Sequence, residues 1–129
     1  WLLPKAKLIA NQRIKNAKYL DDHLSKLQEV EIPPRLKNFK IVFHLYVIFV
    51  RNRDELLRYC LKKGIEAKVH YPKPMYLQES LKNLKYKKGD FPVTDAHCKK
   101  IITFPCDQHR SKKELDYIIK TVKNFYTIQ

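Results

Sequence analysis

The sequence predicts a small α+β domain in which a three-stranded, mainly antiparallel sheet is covered by helices on one face. Three short segments, residues 41–50, 65–69 and 101–104, have the composition or the alternation of β-strands. The stretches around them repeat apolar residues at the three- and four-residue steps of helices. A chain of 129 residues suits one core, so we take residues 1–129 as a single domain.

The first predicted helix covers residues 8–28. Its apolar residues form one stripe at helical spacing: Ile14, Ala17, Leu20, Leu24 and Leu27. Pro33 and Pro34 follow. Because proline lacks a backbone donor and restricts the residue before it, the pair predicts an extended connection after this helix.

The predicted central strand is residues 41–50, which are rich in β-branched and aromatic side chains and are expected to be covered on both faces. This ten-residue run is the most apolar in the chain, whereas a bilayer crossing needs roughly 20 residues. No membrane segment is therefore predicted. A further short strand, residues 101–104, ends at Pro105.

Residues 65–69 alternate between apolar and polar side chains, which is the pattern of a half-buried strand. The alternation places Ile65, Ala67 and Val69 toward the core. His70 is therefore expected to point away from it.

Two capping boxes mark helix starts. Asn52 precedes Glu55, and Ser111 precedes Glu114, each at the spacing at which the two residues satisfy each other's backbone donors. Gly64 stands where the helix after Asn52 would end, a position at which glycine adopts a left-handed conformation at little cost.

Two further helical segments are predicted before the last strand and one after it. A short helix covers residues 76–84, and another begins at Pro92, which suits a first helical turn. The final helix buries residues at helical spacing: Leu115, Ile118, Ile119, Val122, Phe125 and Tyr126.

Several classes of site are excluded by composition. With two glycines, the chain cannot form a glycine-rich loop that cradles phosphates. The five histidines show no metal-binding spacing, and His44, inside the apolar run, is expected to be a core or interface residue. The three cysteines show no paired spacing, which indicates a reducing compartment such as the cytoplasm. Cys106 lies beside Asp107 and could be a nucleophile, but a partly buried loop thiol is favoured.

The net charge of +14 indicates a surface that attracts phosphate groups. A basic nucleic-acid-binding module is one interpretation of this charge. The lysines are scattered, however, with short clusters at residues 85–88 and 111–113, and the aromatic residues mostly follow the core pattern. Solvated helix faces rich in lysine are therefore favoured, and nucleic acid is not the expected partner.

His70 and Tyr71 are the candidate binding residues. They follow a predicted strand and precede Pro72 and Pro74, which restrict the loop. Loops at strand ends often carry ligand contacts. An imidazole can exchange hydrogen bonds with a sugar or phosphate oxygen, and a tyrosine adds a phenol and a ring face. On these residues alone, a ligand site and a capped turn are equally supported.

The order of several short motifs resembles the C-terminal small domain of the DegT/DnrJ/EryC1/StrS family of pyridoxal-phosphate-dependent sugar-nucleotide aminotransferases, which have fold type I. The matching segments, in chain order, are residues 13–20 (RIKNAKYL), 44–48 (HLYVI), 52–56 (NRDEL), 64–66 (GIE), 69–74 (VHYPKP), 89–96 (GDFPVTDA) and 102–105 (ITFP).

This resemblance implies that His70 and Tyr71 contact a nucleotide-sugar substrate, in an active site that often belongs to the partner subunit of a homodimer. It also implies that pyridoxal phosphate and its Schiff-base lysine belong to an N-terminal domain that this sequence does not contain. We therefore expect no catalytic residue, no metal ligand and no bound cofactor in this chain, and no transaminase turnover by it alone. The parent would serve polysaccharide biosynthesis.

Two alternatives remain open beside the nucleic-acid module. The chain could be a non-catalytic remnant domain, and its parent could be a dehydratase relative rather than a transaminase. The sugar, its nucleotide and the amino donor are not specified by these residues.

Overall fold

The fold is built on a three-stranded antiparallel sheet, and the structure, a computed structural model, describes residues 2–127. The elements that matter for packing, in chain order, are α1 (Ala6–Leu24), β1 (Val30–Glu31), β2 (Tyr46–Val50), α2 (Arg53–Lys62), α3 (Pro92–Lys100), β3 (Ile101–Phe104) and α4 (Lys112–Thr127). Short 3₁₀ helices cover Leu3–Lys5, Met75–Leu77 and Glu79–Leu84. The predicted α+β class with a small antiparallel sheet is confirmed.

Strand β2 is the centre of the sheet, as predicted for this part of the chain. Its Val50 pairs with Val30 of β1, and its Ile48 pairs with Ile102 of β3. Tyr46, Ile48 and Val50 are all buried. Because side chains alternate along a strand, this set lies on one face of β2.

The core lies between that face and helices α1, α2 and α4. One fully buried apolar residue from each neighbouring element shows its extent: Leu20 of α1, Leu56 of α2, Ile102 of β3 and Val122 of α4. The opposite face is covered in part by α3, whose His97 stacks on Phe49 with ring centroids 4.4 Å apart.

The predicted ten-residue strand is only half formed. Phe43 has a left-handed backbone with φ of 51°, and residues 44–45 form a bend, so the strand begins at Tyr46. An extended ladder cannot pass through a left-handed residue. The Phe43 side chain is buried all the same, so its apolar character reflects core packing rather than strand structure.

The prediction that residues 65–69 form a strand was wrong. Ile65 and Ala67 are buried as the alternation indicated, and Val69 is half-buried. The Ala67 N–H, however, donates to the carbonyl of Ile65 within the same segment, and Lys68 alone forms a bridge with Thr103. The third strand is β1, and its two residues are too few to show a periodic pattern.

The helix limits agree with the predictions more closely. Helix α1 starts two residues earlier than predicted and ends at Leu24 instead of Gln28. Pro92 occupies the first turn of α3. Residues 75–84 form two 3₁₀ turns in place of one short helix. The predicted core residues of α4 are buried, apart from Tyr126, which is half-buried.

Of the two capping boxes, one is present. At the start of α4, the Ser111 N–H donates to Glu114 Oε2 over 2.8 Å and the Glu114 N–H donates to Ser111 Oγ over 3.3 Å. The box at Asn52 was wrong. Asn52 has a left-handed backbone and makes no side-chain capping bond, whereas an N-cap side chain reaches the helix from an extended backbone.

A polar network joins α1, the loop before β2 and β2 itself. The hydroxyl of Tyr46, whose side chain is 1% exposed, donates to Asp21 Oδ1 over 2.8 Å. Arg35 donates to both carboxylate oxygens of Asp21 and to the carbonyl of Val47. Burial, with the Asp21 charge, raises the pKa of Tyr46, so this phenol remains a donor.

We expect Tyr46→Phe to lower the free energy of unfolding by about 2 kcal/mol, because the Asp21 carboxylate loses a buried donor. Urea unfolding followed by circular dichroism measures this change. Tyr59→Phe is the matched control, since no hydrogen bond of the Tyr59 hydroxyl is found in residues 2–127. Equal losses in the two variants would contradict the assignment.

Candidate functional site

A junction between Lys68 and Thr103 positions the candidate site. The Lys68 N–H donates to the Thr103 carbonyl over 3.0 Å, and the Thr103 N–H donates back to the Lys68 carbonyl over 2.8 Å. The Thr103 hydroxyl adds a third bond to the Lys68 carbonyl over 3.1 Å. Thr103 is 4% exposed. This junction fixes the end of the 65–69 segment against the edge of β3.

His70 follows this junction and is half-buried. Its Nδ1 lies 3.0 Å from the hydroxyl of buried Thr103. Its other nitrogen, Nε2, has no hydrogen-bond partner among residues 2–127 and is not among the buried unpaired atoms there. Nε2 is therefore accessible to a ligand.

Tyr71, the second candidate residue, is 70% exposed. Its ring stands edge-on to the imidazole of His70, with centroids 5.6 Å apart, and the peptide bond between the two residues is cis. The structure therefore brings the two sequence-predicted residues together, one held against the sheet and the other projecting from the surface.

Two clefts meet at His70. The first has a volume of about 260 Å³ and is lined in part by Arg13, His44, Lys68, His70 and Asp107. The second measures about 480 Å³ and is lined in part by His70, Tyr71, Lys73, Met75 and His97.

Cationic side chains give the first cleft its electrostatic character. Arg13 Nε donates to Gln108 over 3.1 Å, and Lys68 Nζ lies 2.6 Å from Glu66. The hydrogen bond from Lys68 lowers the pKa of Glu66, so the carboxylate stays charged and competes for the lysine. A cleft with cations, an imidazole and carboxylates suits a ligand that carries both negative charge and hydroxyl groups.

Of the two expectations for His44, the core position was wrong, and the interface position stays a prediction. His44 is exposed and borders the first cleft, because the bend after Phe43 takes it out of the strand. The pattern of apolar neighbours gave no sign of this bend.

Cys106 is a buried thiol, as favoured from the sequence. Its Sγ lies 3.9 Å from the Phe43 carbonyl, and burial raises the pKa of the thiol to about 11. Since the thiolate is the nucleophilic form, a raised pKa makes this thiol unreactive at neutral pH.

The basic cluster at residues 85–88 contains an aromatic ring that is used in local packing. Tyr86 and Phe91 both contact Tyr76, and the Tyr76 hydroxyl donates to Asp95. The Tyr86 ring stands edge-on to Tyr76 and to Phe91, so these rings pack on one another and are not arranged as a separate stacking platform along the lysines. This local cluster was not foreseen from the sequence.

Thr103 and Arg13 are the site residues that sequence reasoning missed as contacts. Thr103 is a polar residue inside an otherwise apolar strand, and that pattern is a usable signal, since a buried hydroxyl needs a partner. Arg13 lines the cleft because α1 contacts the turn after β3, and these two segments are remote from each other in sequence.

In residues 2–127, no group of His, Cys, Asp and Glu side chains is arranged to hold a metal ion. The same described part of the chain contains no helix that is both long and apolar enough to cross a bilayer.

A sequence profile of the DegT/DnrJ/EryC1/StrS aminotransferase family matches residues 2–123, which is nearly the whole chain. The chain belongs to this family. Among curated DegT/DnrJ/EryC1/StrS relatives, the erythromycin biosynthesis sensory transduction protein EryC1 of Saccharopolyspora erythraea is 27% identical over 83% of this chain and 29% of its own length.

A second relative of this aminotransferase family is dTDP-3-amino-3,6-dideoxy-alpha-D-galactopyranose transaminase of Aneurinibacillus thermoaerophilus. It is 23% identical over 89% of this chain and 31% of its own length. The chain thus spans about a third of the length of the curated relatives that it matches.

The fold of this chain is similar to that of part of a solved structure, S. venezuelae DesV in complex with a ketimine intermediate. The TM-score is 0.91 at 21% identity, and the match covers 95% of this chain and 33% of DesV. At this identity the comparison shows the fold.

The lysines described here do not fit the role of a pyridoxal-phosphate anchor. A Schiff-base lysine is activated by desolvation or by a neighbouring cation, whereas every lysine within residues 2–127 is exposed except Lys123, which is half-buried. Lys68, the lysine beside His70, is paired with Glu66. We assign no step of a cofactor reaction to these side chains.

We expect Cys98 to be the first thiol of the folded chain to react with a disulfide reagent, because it is half-buried whereas Cys60 and Cys106 are buried. Burial raises the pKa of Cys60 to about 12 and that of Cys106 to about 11, so both react only on unfolding. Absorbance of the released thiolate measures this order, and Cys98→Ser should remove the native-state reaction. Rapid labelling of Cys106 would contradict it.

Proposed function

We propose that this chain is the substrate-contacting portion of an aminotransferase that transfers an amino group to a nucleotide-linked keto sugar. The observation that carries the proposal is the geometry of His70, which is held by a buried threonine and presents an accessible nitrogen where two clefts meet. Family membership supports the reaction class. The name of one relative, a dTDP-amino-sugar transaminase, supports the substrate class.

In this proposal, His70 and Tyr71 contact the substrate, and neither residue carries out the chemical step. His70 offers a hydrogen bond from a fixed position, and Tyr71 offers a phenol and an exposed ring face at the rim. Anchored and exposed residues together suit a ligand with a polar sugar and a planar base.

The cations around the site are proposed to attract the diphosphate. Arg13 and Lys68 line the first cleft and Lys73 lines the second. The chain as a whole carries a net charge of +14, and a basic field raises the local concentration of an anionic ligand.

Pyridoxal phosphate and the Schiff-base lysine are proposed to belong to an N-terminal domain of the parent, in the length of the relatives that this chain does not span. The exposed lysines support this division. Sequencing upstream of the codon for Trp1 tests it, because a domain with a Schiff-base lysine is expected there. An unrelated neighbouring sequence would contradict the division.

The free thiols support a cytoplasmic location.

A homodimer is proposed for the parent. Residues 71–93 contain no buried side chain, and six of their large apolar residues are exposed: Tyr71, Met75, Leu84, Tyr86, Phe91 and Val93. Such a concentration of apolar surface is typical of an interface. We propose that a second subunit covers it.

We predict that the chain binds dTDP-glucose and that His70→Ala weakens this binding about tenfold, because a ligand group loses its hydrogen-bond partner. Isothermal titration calorimetry measures the affinity. Tyr71→Ala should also weaken binding, while its free energy of unfolding stays within about 0.5 kcal/mol of that of the wild type, since the side chain is exposed.

His109→Ala is the control for this titration. His109 is exposed and lines neither cleft, so its removal should leave the affinity unchanged. Absence of nucleotide-sugar binding by the wild-type chain, or equal losses in the His70 and His109 variants, would contradict the proposed role of His70.

A further inference from the structure

We propose that Thr103 is a positioning residue that fixes the tautomer of His70, so that Nε2 of the neutral ring is a hydrogen-bond acceptor. The ligand group that Nε2 recognises is then a hydrogen-bond donor, such as a sugar hydroxyl or an amino group, and not a phosphate oxygen. The assignment of this donor to a nucleotide sugar rests on the proposed function, whereas the tautomer itself follows from the contacts of Thr103.

The Thr103 hydroxyl has a single proton to donate. Oγ1 lies 3.1 Å from the Lys68 carbonyl and 3.0 Å from His70 Nδ1. For both of these contacts to be hydrogen bonds, the hydroxyl proton has to be directed to the Lys68 carbonyl, because a carbonyl oxygen only accepts. The hydroxyl can then only accept from the imidazole.

His70 Nδ1 must therefore carry a proton for both contacts to be hydrogen bonds. In a neutral imidazole one nitrogen is a donor and the other an acceptor. The hydrogen bond of one ring nitrogen decides which of the two carries the proton, and here Nδ1 has to donate to the Thr103 hydroxyl. Nε2, which is accessible and has no partner among residues 2–127, is left with a lone pair.

The surroundings of Thr103 hold its hydroxyl in place. The residue is buried in β3, and both of its backbone polar groups are bonded to Lys68. A β-branched side chain has few χ1 rotamers. The Thr103 hydroxyl donates to the Lys68 carbonyl. If the hydroxyl turned away, the Lys68 carbonyl would lose one of its two hydrogen bonds.

This arrangement divides recognition of the ligand between two kinds of residue. A neutral imidazole with a lone pair on Nε2 repels a phosphate oxygen and accepts from a hydroxyl or an amine. The cations beside it, Arg13, Lys68 and Lys73, are suited to the phosphates. His70 is thereby a residue that selects the sugar end of the substrate.

Nitrogen-15 NMR of the imidazole rings, recorded at alkaline pH, tests the tautomer directly. The His70 signals are assigned from their loss in His70→Gln. We expect the wild-type chain to show a protonated Nδ1 and an unprotonated Nε2. Thr103→Val removes the hydroxyl and keeps the branched shape, so Nδ1 should lose its proton preference, and Thr103→Ser should retain it.

A proton on Nε2 in the wild-type chain would overturn the proposal without reference to any variant. An unchanged Nδ1–H tautomer in a folded Thr103→Val chain would overturn it as well. The amide spectrum of each variant establishes that the chain is folded, and Thr103→Ser provides the readout if the valine variant does not fold.

Titrations with dTDP-glucose and with dTDP separate this proposal from the proposed function. We expect Thr103→Val to weaken dTDP-glucose binding roughly two- to tenfold and to leave dTDP binding unchanged, because only the sugar uses Nε2. Equal losses for both ligands, or no loss for either, would contradict the role in sugar selection. Failure of the wild type to bind either ligand would contradict the proposed function, while a threonine-dependent tautomer would still establish the control of His70 by Thr103.

Discussion

The three hydrogen bonds between Lys68 and Thr103 are the constraint on which the candidate site depends. They join a segment with little regular structure to the sheet, in which β3 is paired along its length with the central strand. Without this junction, the residues that follow Lys68 would form an ordinary surface loop. With it, His70 is held at a fixed distance from a buried hydroxyl, and Tyr71 projects from a defined position.

The support behind the junction comes from the core and from one polar network. Apolar packing covers one face of strand β2, and β1 and β3 pair with its two edges. Tyr46, Asp21 and Arg35 connect this strand to α1 and to the loop before it. The sheet therefore positions the site.

Most of the fold could be predicted from periodicity, because helices α1 and α4 each place several apolar residues on one face. The errors occurred where a local backbone conformation decided the outcome. Phe43 is apolar enough for a strand, yet its left-handed backbone ends the strand. The segment 65–69 alternates correctly, yet the Ala67 N–H is used within the segment. Pairing of backbone groups is not encoded in hydrophobicity, so alternation predicted burial and not strand structure.

The site was predictable in its exposed members and not in its support. His70 and Tyr71 were identified by their place between a predicted strand and two prolines, and by the resemblance to a family motif. Thr103 lies 33 residues away from His70 in sequence, and its contact depends on how the 65–69 segment meets β3. Arg13 reaches the same cleft from another element. Contacts of this range require the tertiary structure.

The central claim, that the loop held by Thr103 contacts a nucleotide sugar, is tested most directly by amide chemical-shift mapping of the labelled chain with dTDP-glucose. The account predicts the largest shifts at residues 68–73 and at Thr103, with smaller shifts at Arg13. Gly64, Lys113 and Tyr117, which line a different cleft beside α4, should be unaffected. Shifts that are largest at that cleft, or that leave residues 68–73 unchanged, would contradict the account.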